Sequence, residues 1–259
     1  GQSTLAGVGQ KSMSLTAGIA GTTTTVSAQI LLPAGRIDKT VTLRPGNLTL
    51  LWQANDSHVP PFYRGKALPT SDSSIKVVAI PEVKSGSGFT DSKSMVYRWE
   101  KNYVNQQGAS GYSKSSFTFV NDFLDDNNIV SVEVATPNYQ YSGAGNINIP
   151  IFDSELVFYK KDPVLGTLWE RSLQDTHTIS GEEIVVAEPY FISPKELWRP
   201  ELVWRWFIND TLVDVPAYAN NIMPLRANPG ATGTSKVRLE VENQYKYFQT
   251  AKKEVLISF

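Results

Sequence analysis

The sequence predicts an all-β protein made of tandem β-sandwiches. Three observations lead to this fold class. Segments repeat at an offset of 107 or 108 residues, apolar and polar residues alternate with period two inside the repeats, and no segment of useful length has capped helical periodicity. The chain has 259 residues, more than twice the length of one repeat. We therefore expect two complete sandwiches and part of a third.

The repeat consists of short motifs that recur in the same order. The clearest matches are VVAIP with VVAEP, YRW with WRW and VSVEV with VRLEV, at residues 77–81 and 185–189, 97–99 and 204–206, and 130–134 and 237–241. These matches delimit two complete units, residues 46–152 and 153–259. Residues 26–30 (VSAQI) match 130–134, and Pro33 then matches Pro137. Residues 1–45 are therefore predicted to be the C-terminal half of an incomplete unit.

Each complete unit contains six or seven short segments with strand character, separated by turns rich in Gly, Pro, Asn and Asp. Predicted strands of the first complete unit cover residues 47–54, 74–81, 94–102, 114–120, 129–136 and 145–152. Val130, Val132 and Val134 alternate with polar residues, which is typical of a strand with one buried face. A repeat of about 100 residues with about seven strands is typical of an immunoglobulin-like (Ig-like) sandwich.

A tryptophan buried between the two sheets is a hallmark of this fold. Trp99 and Trp206 occupy the corresponding strand of the two complete units. Because the chain has no cysteine, no disulfide joins the sheets, and the packing of these side chains must hold them together.

Two segments resemble the central strand and turn of bacterial PKD-like and Ig-like domains in extracellular proteins. They are Arg98-Trp99-Glu100 followed by Gly111, and residues 205–210 (RWFIND). Residues 60–69 (PPFYRGKALP) and 158–166 (FYKKDPVLG) are also similar to uncharacterised surface proteins of small-genome candidate-phylum bacteria. The resemblance covers most of the chain from about residue 46. It implies a stalk, an adhesin or an envelope spacer, and it transfers no catalytic residue.

The composition excludes several classes of function. Without cysteine the chain has no thiolate metal site and no thiol nucleophile. A formal net charge of −1 excludes a polybasic nucleic-acid binder. No apolar run approaches the roughly 20 residues that a membrane-spanning helix needs, so we expect no membrane segment within this chain.

The residues that could support catalysis or bind a metal ion are few and scattered. His58 and His177 lie outside metal-ligand spacings such as HExxH, and both are predicted to be solvated loop residues. Residues 125–128 (DDNN) offer oxygen ligands for Ca²⁺, but the aligned positions of the other units do not, which favours an ordinary turn. Glu182 and Glu183 are neighbours in a strand and should point to opposite faces.

The sequence therefore predicts a protein that is not an enzyme and has no catalytic, cofactor-binding or metal-binding residues. It predicts an extracellular structural or adhesive protein of the cell surface, which acts as a stalk, a spacer or a surface-fibre subunit. Two alternatives stay open: a carbohydrate-binding module, and accessory domains of a secreted enzyme.

Aromatic residues in loops and at strand edges are the candidates for contact with a glycan or a protein partner. They are Trp169, Trp198, Tyr63 and Tyr112. Phe62 and Trp169 occupy equivalent positions of the two units, which predicts that each plugs the connection between the first and second strands.

The incomplete first unit gives the most specific expectation. Half of a sandwich would expose the apolar face formed by Val26, Ala28 and Ile30, and would leave strand edges open. We expect these edges and this face to be covered by other strands. The strands could come from the missing half of the first unit or from other protein subunits, and the second case would make the chain a subunit of a surface fibre.

Overall fold

A computed structural model of the chain describes residues 5–9, 12–15, 22–33, 35–85, 88–139, 141–246 and 248–259. The strands of the N-terminal half, numbered in chain order, are β1 Thr24–Leu32, β2 Gly35–Pro45, β3 Asn47–Ala54, β4 Ser74–Glu82, β5 Lys84–Ser85, β6 Gly88–Phe89, β7 Val96–Lys101, β8 Val104–Asn105, β9 Gly111–Tyr112, β10 Ser116–Val120, β11 Asn127–Ala135 and β12 Tyr141–Pro150. Those of the C-terminal half are β13 Glu155–Asp162, β14 Gly166–Ser172, β15 Thr176–Thr178, β16 Glu182–Tyr190, β17 Leu202–Ile208, β18 Thr211–Val213, β19 Ile222–Arg226, β20 Thr234–Asn243 and β21 Thr250–Ser258. Two 3₁₀ turns cover Ser92–Ser94 and Ala217–Ala219.

The N-terminal half of the chain forms one sandwich with an extended sheet. That sheet has the order β1-β2-β12-β11-β7-β8, with β9 also paired to β7, and the second sheet has the order β10-β4-β3. Trp99 of β7 is fully buried and contacts Phe117 of β10, with ring centroids 5.9 Å apart. The Trp99 indole donates a hydrogen bond to the carbonyl oxygen of Lys114 at 2.8 Å, so its one polar group is satisfied.

The C-terminal half forms the last sandwich, with sheets β14-β13-β16-β19 and β15-β21-β20-β17-β18. Phe158 of β13 stacks on Trp206 of β17 across the two sheets, with centroids 5.4 Å apart. Trp206 is 1% exposed, and its indole donates to the carbonyl oxygen of Asn220 at 2.7 Å. The core is thus centred on the predicted tryptophan.

Six strands have the same order in the two sandwiches. Strands β3, β4 and β10 correspond to β13, β16 and β19, and strands β7, β11 and β12 correspond to β17, β20 and β21. All six strands predicted for residues 46–152 are present, although β12 begins at Tyr141 rather than at 145. The prediction of an all-β fold with tandem Ig-like sandwiches is confirmed.

The chain divides into two compact units whose boundaries fall within strands. The first unit comprises residues 1–51, 78–117 and 130–147, and the second comprises residues 52–77, 118–129 and 148–259. Strands β3, β4, β10, β11 and β12 each contribute residues to both units. The second unit therefore contains the whole last sandwich together with the loop of residues 55–73 that connects β3 and β4.

Charged side chains cover the outer face of the β20–β17 sheet. Asp210 accepts hydrogen bonds from Lys236 at 3.0 Å and Arg238 at 2.8 Å. The hydrogen bond from Lys236 holds the pKa of Asp210 below its usual value. This face is therefore solvated, in contrast to the apolar inner face of the same strands.

Tyr97 gives a prediction for how the stability of the first compact unit depends on pH. Burial, with a smaller contribution from Asp91, raises the pKa of Tyr97 to about 12, and its hydroxyl donates to the carbonyl oxygen of Ser92 at 2.8 Å. A tyrosine in an unfolded chain ionises near pH 10, so the stability that depends on neutral Tyr97 is intact below pH 10 and is lost as the pH rises toward 12. We expect a loss of about 2–3 kcal/mol over this range.

The measurement is urea unfolding between pH 9 and 12. Tyr97→Phe cannot ionise and should lose stability less steeply than the wild type over this range. Equal slopes for the two proteins would contradict the prediction.

Candidate functional site

Strands β1 and β2 form an amphipathic two-stranded ribbon. Their antiparallel register runs without irregularity from Thr24 opposite Leu43 to Leu32 opposite Gly35. Residues directly opposite each other share a face, and faces alternate along the strand. One face consists of Val26, Ala28, Ile30, Leu32, Ile37, Val41 and Leu43, with Lys39 among them. The other face carries Thr25, Ser27, Gln29, Leu31, Arg36, Asp38, Thr40 and Thr42.

The apolar face of the ribbon is exposed in the described part of the chain. Ile30, Ile37 and Val41 have 49%, 43% and 54% of their surface exposed, Ala28 is exposed and Val26 is half-buried. The aligned residues of the last sandwich, Val237, Leu239 and Val241, are at most 1% exposed. The ribbon therefore presents to solvent a face that a complete sandwich buries. The use of Val26, Ala28 and Ile30 in an inter-subunit contact stays a prediction.

Within the described ranges, the ribbon joins the sheet of the first unit only at the end of β2. Arg44 and Pro45 pair in parallel with Tyr141 and Ser142 of β12, and the Gly46 N–H donates to the carbonyl oxygen of Ser142 at 3.1 Å. Among the described residues, positions 35–43 of β2 pair with β1 alone. A two-stranded ribbon is marginally stable by itself in water.

The ribbon has the register of the hairpin that closes the last sandwich. The corresponding pairs are Val26–Val41 with Val237–Val255, Ala28–Lys39 with Leu239–Lys253, and Ile30–Ile37 with Val241–Ala251. Both hairpins therefore place three pairs of the same kind, including a lysine at the same position, on one face. This agreement extends the sequence repeat to the level of strand pairing.

A second candidate site lies inside the second unit, where the loop of residues 55–73 packs against the last sandwich. The His58 N–H donates to the carbonyl oxygen of Ile192 at 2.8 Å, and the Phe191 N–H donates to the carbonyl oxygen of His58 at 2.7 Å. The His58 ring pairs with the Glu188 carboxylate at 2.7 Å. We call this site the junction cluster: His58, Thr70, Phe191, Lys246 and Gln249.

A fully buried amide is at the centre of the junction cluster. The Gln249 Nε2 donates to the carbonyl oxygen of Ser71 at 2.8 Å and to the Thr70 hydroxyl at 3.3 Å. The Thr70 hydroxyl in turn donates to the carbonyl oxygen of Phe191 at 3.1 Å. Phe191 has a φ of 67°, which non-glycine residues seldom adopt, and the hydrogen bonds on its N–H and its carbonyl oxygen hold it there.

Lys246 makes the charged contact of the junction cluster. Its ammonium group donates to the carbonyl oxygen of Asp72 at 3.2 Å and lies 3.7 Å from the carboxylates of both Asp56 and Glu196. These side chains are about one-fifth exposed, so solvent screens the pairs less than it screens fully exposed ones. Lys246 therefore connects both ends of the 55–73 loop to the last sandwich.

The prediction that both histidines are solvated loop residues is wrong. His177 lies in strand β15 and its ring pairs with Glu183, while His58 pairs with Glu188, and both side chains are only 23% exposed. The burial arises from tertiary packing that local sequence does not signal. The prediction for the adjacent glutamates is confirmed, since the Glu182 side chain is 74% exposed and that of Glu183 is 8% exposed.

The prediction of a shared aromatic plug is wrong for Phe62. Its side chain is 83% exposed, and its neighbour Tyr63 packs on Tyr190 and Phe191 instead, with centroids 5.6 and 6.1 Å away. A φ of 65° at Phe62 turns the backbone there and reverses which side chain faces inward.

The four predicted contact aromatics do not share one environment. Tyr112 belongs to the first unit and is 61% exposed, whereas the other three belong to the second unit. Trp169 and Tyr63 are half-buried, and Trp169 contacts Tyr159 with centroids 5.2 Å apart. Trp198 is 71% exposed. Of the two tryptophans, Trp198 is therefore the better placed to stack on a ligand.

Sequence reasoning missed the polar residues of the junction cluster. Thr70 and Gln249 lie in turns, where no periodicity marks a residue as buried. Gln249 is polar and lies between β20 and β21, outside the alternating pattern of either strand. Only the folded chain therefore shows that Gln249 is 0% exposed.

Within the described ranges, no three histidine, aspartate or glutamate side chains are grouped so as to hold a metal ion. No helix in this part of the chain has the length and apolar character needed to cross a membrane.

No protein-family model and no curated protein matches the sequence. Solved structures that align with this chain include three N-terminal domains of the bacteriophage RB49 Highly Immunogenic Outer Capsid protein (Hoc), with 10% identity, a TM-score of 0.40 and 82% of this chain covered. Clostridium thermocellum CbhA fibronectin(III)-like modules align at 7% identity over 81% of this chain and 93% of theirs, with a TM-score of 0.24. Sidekick-1 immunoglobulin domains 1–4 align at 11% identity over 84% of this chain and 71% of theirs, with a TM-score of 0.24. The aligned region spans 59% of the phage protein chain.

Proposed function

We propose that the protein is a non-enzymatic structural or adhesive component of an extracellular cell surface, in which tandem Ig-like sandwiches serve as a spacer or stalk. The junction cluster is the observation that carries this proposal. The cluster fastens the 55–73 loop to the last sandwich through backbone, amide and ammonium hydrogen bonds, so these two parts of the second unit are held together.

The short connection between β12 and β13 supports the same function. Only residues 151–154 separate the two strands. The Ile151 N–H donates to the carbonyl oxygen of Asp126 at 3.0 Å, and the Phe152 N–H donates to the carbonyl oxygen of Pro69 at 2.9 Å. Ser154 is buried. These contacts anchor the connection within the second unit.

Pulsed electron spin resonance on the otherwise cysteine-free chain tests the junction. Spin labels on cysteines at exposed Arg64 and Leu212 report the distance between the 55–73 loop and the last sandwich. We expect one narrow distance distribution in the wild type and a broad one in the His58→Ala/Gln249→Ala double variant. Loss of the buried Gln249 hydrogen bonds alone should cost about 1–3 kcal/mol of stability.

The matched control is Gln244→Ala, which removes an exposed side chain from the same turn. It should leave the narrow distribution unchanged. A broad distribution in the wild type, or no broadening in the double variant, would overturn the spacer proposal.

A carbohydrate-binding module is the second candidate function. It is favoured by the exposure of Trp198, because indole rings at the surface can stack on sugar rings. Binding of the wild type to a polysaccharide array, lost in Trp198→Ala with the fold retained, would support this function over a purely mechanical one.

A further inference from the structure

We propose that the β1–β2 ribbon is the closing hairpin of a third Ig-like sandwich, and that its occupant is a front half-sandwich of the same repeat, with strands equivalent to β13–β19. This inference rests on the proposed function and names the partner that would continue the array. The inference concerns a surface separate from the junction cluster. The experiment on the ribbon can therefore fail while the experiment on the junction cluster succeeds, and the reverse.

The last sandwich shows what covers such a hairpin. The outer edge of β20 pairs with β17, with Trp206 opposite Leu239. The inner face of the same hairpin packs in the core with residues of β13 and β16, such as Phe158 and Val185. Since β1–β2 repeats the register of β20–β21, the elements of a complete sandwich that the described residues do not supply are a strand along β1, a short parallel strand along β2 in the place of β15, and a sheet over the apolar face.

In the described part of the chain β1 is an edge strand, and its outer edge suits strand addition. Its nine residues, TTVSAQILL, include no charge and no proline, and its ladder with β2 contains no bulge. Proteins that leave an edge strand permanently exposed usually protect it with one of these features. Among the residues that the structure describes, nothing pairs with the outer edge of β1, which leaves it open to another strand.

The register also specifies residues of the partner. Ala28 aligns with Val132 and Leu239, which lie opposite Trp99 and Trp206. The incoming strand should therefore place a tryptophan, or another large aromatic residue, opposite Ala28. The small alanine leaves space for that ring.

Lys39 specifies a second feature of the partner. It aligns with Lys253, whose ammonium group pairs with the Asp175 carboxylate at 2.9 Å. Asp175 lies just before β15, in the segment that the proposed partner would supply. The partner should therefore carry an acidic residue near Lys39, which would neutralise the one charge on the apolar face.

A chimaera in which this chain supplies the proposed front half-sandwich tests the inference. A second copy of residues 153–233, which contain β13–β19, is fused directly before Thr23 of the intact segment 23–259. Hydrogen exchange then reports the β1 amides that point away from β2. We expect these amides to exchange at least about 100-fold more slowly in the chimaera than in the 259-residue chain.

Matched variants on the two faces of β1 make the test specific. Ile30→Asp puts a charge on the apolar face and should abolish the protection in the chimaera, whereas Gln29→Asp on the opposite face should keep it. In the 259-residue chain both variants should unfold like the wild type, because there both side chains are exposed.

Three results would overturn the inference. The first is a chimaera whose β1 amides exchange as fast as in the 259-residue chain. The second is protection of β1 in the 259-residue chain that grows with protein concentration, because a second copy would then be the occupant. The third is protection that is already present in that chain at low concentration, because another part of the same chain would then cover the ribbon.

Discussion

Trp206→Ala should lower the free energy of unfolding of the second unit by about 3–5 kcal/mol. The Trp206 ring is 1% exposed and stacks on Phe158 between the two sheets, so truncation leaves a large cavity at the centre of the core. The carbonyl oxygen of Asn220 also loses its hydrogen bond from the indole. Since a domain of this kind has only about 5–15 kcal/mol of stability, urea unfolding should show a large shift of the midpoint.

Trp198→Ala is the matched control for this prediction. Trp198 is 71% exposed, so the same truncation should change the stability by no more than about 0.5 kcal/mol. Similar losses for the two variants would contradict the assignment of Trp206 as the central core residue. Because Trp198→Ala should retain the fold, we also expect it to serve as the non-binding variant in the polysaccharide experiment.

Val132→Asp should destabilise the first unit by at least about 4 kcal/mol. Val132 is 1% exposed and lies opposite Trp99, so the carboxylate would be buried beside an aromatic ring. Folding must then either desolvate the charged carboxylate or protonate it, and both cost free energy. We expect the first unit to show no cooperative unfolding transition, which circular dichroism and urea titration can measure.

The control for this variant is one residue away on the same strand. Ser131 faces outward and is half-buried, so Ser131→Asp should cost no more than about 1 kcal/mol. The pair tests the period-two alternation itself. A larger loss for Ser131→Asp than for Val132→Asp would mean that the core lies on the other face of β11.

The strands could be predicted from the sequence because their signals are local. Alternation at Val130, Val132 and Val134 marks one buried face, and the same alternation in β1 places Val26, Ala28 and Ile30 together. The sequence repeat strengthened each strand assignment, because a strand identified in residues 46–152 predicted an equivalent strand in residues 153–259. The tryptophans of the core followed from the same pattern and are fully buried.

The two candidate sites could be predicted only in part. The ribbon was expected to expose Val26, Ala28 and Ile30, but its parallel pairing with β12 depends on residues about 100 positions apart. The junction cluster gave no sequence signal, because its loop and turn residues are buried only through contacts between distant segments. His58 shows this limit: it lies in a loop, yet its backbone and its ring both bind residues of the last sandwich.

The parallel pairing of β15 with β21 determines how this ladder would respond to a pull along its strands. The two strands run parallel, with Thr176 opposite Leu256 and Thr178 opposite Ser258. A force that pulls β15 toward its N-terminus and β21 toward its C-terminus acts along both strands in opposite directions. The ladder is then loaded in shear, and its hydrogen bonds must break together rather than one after another.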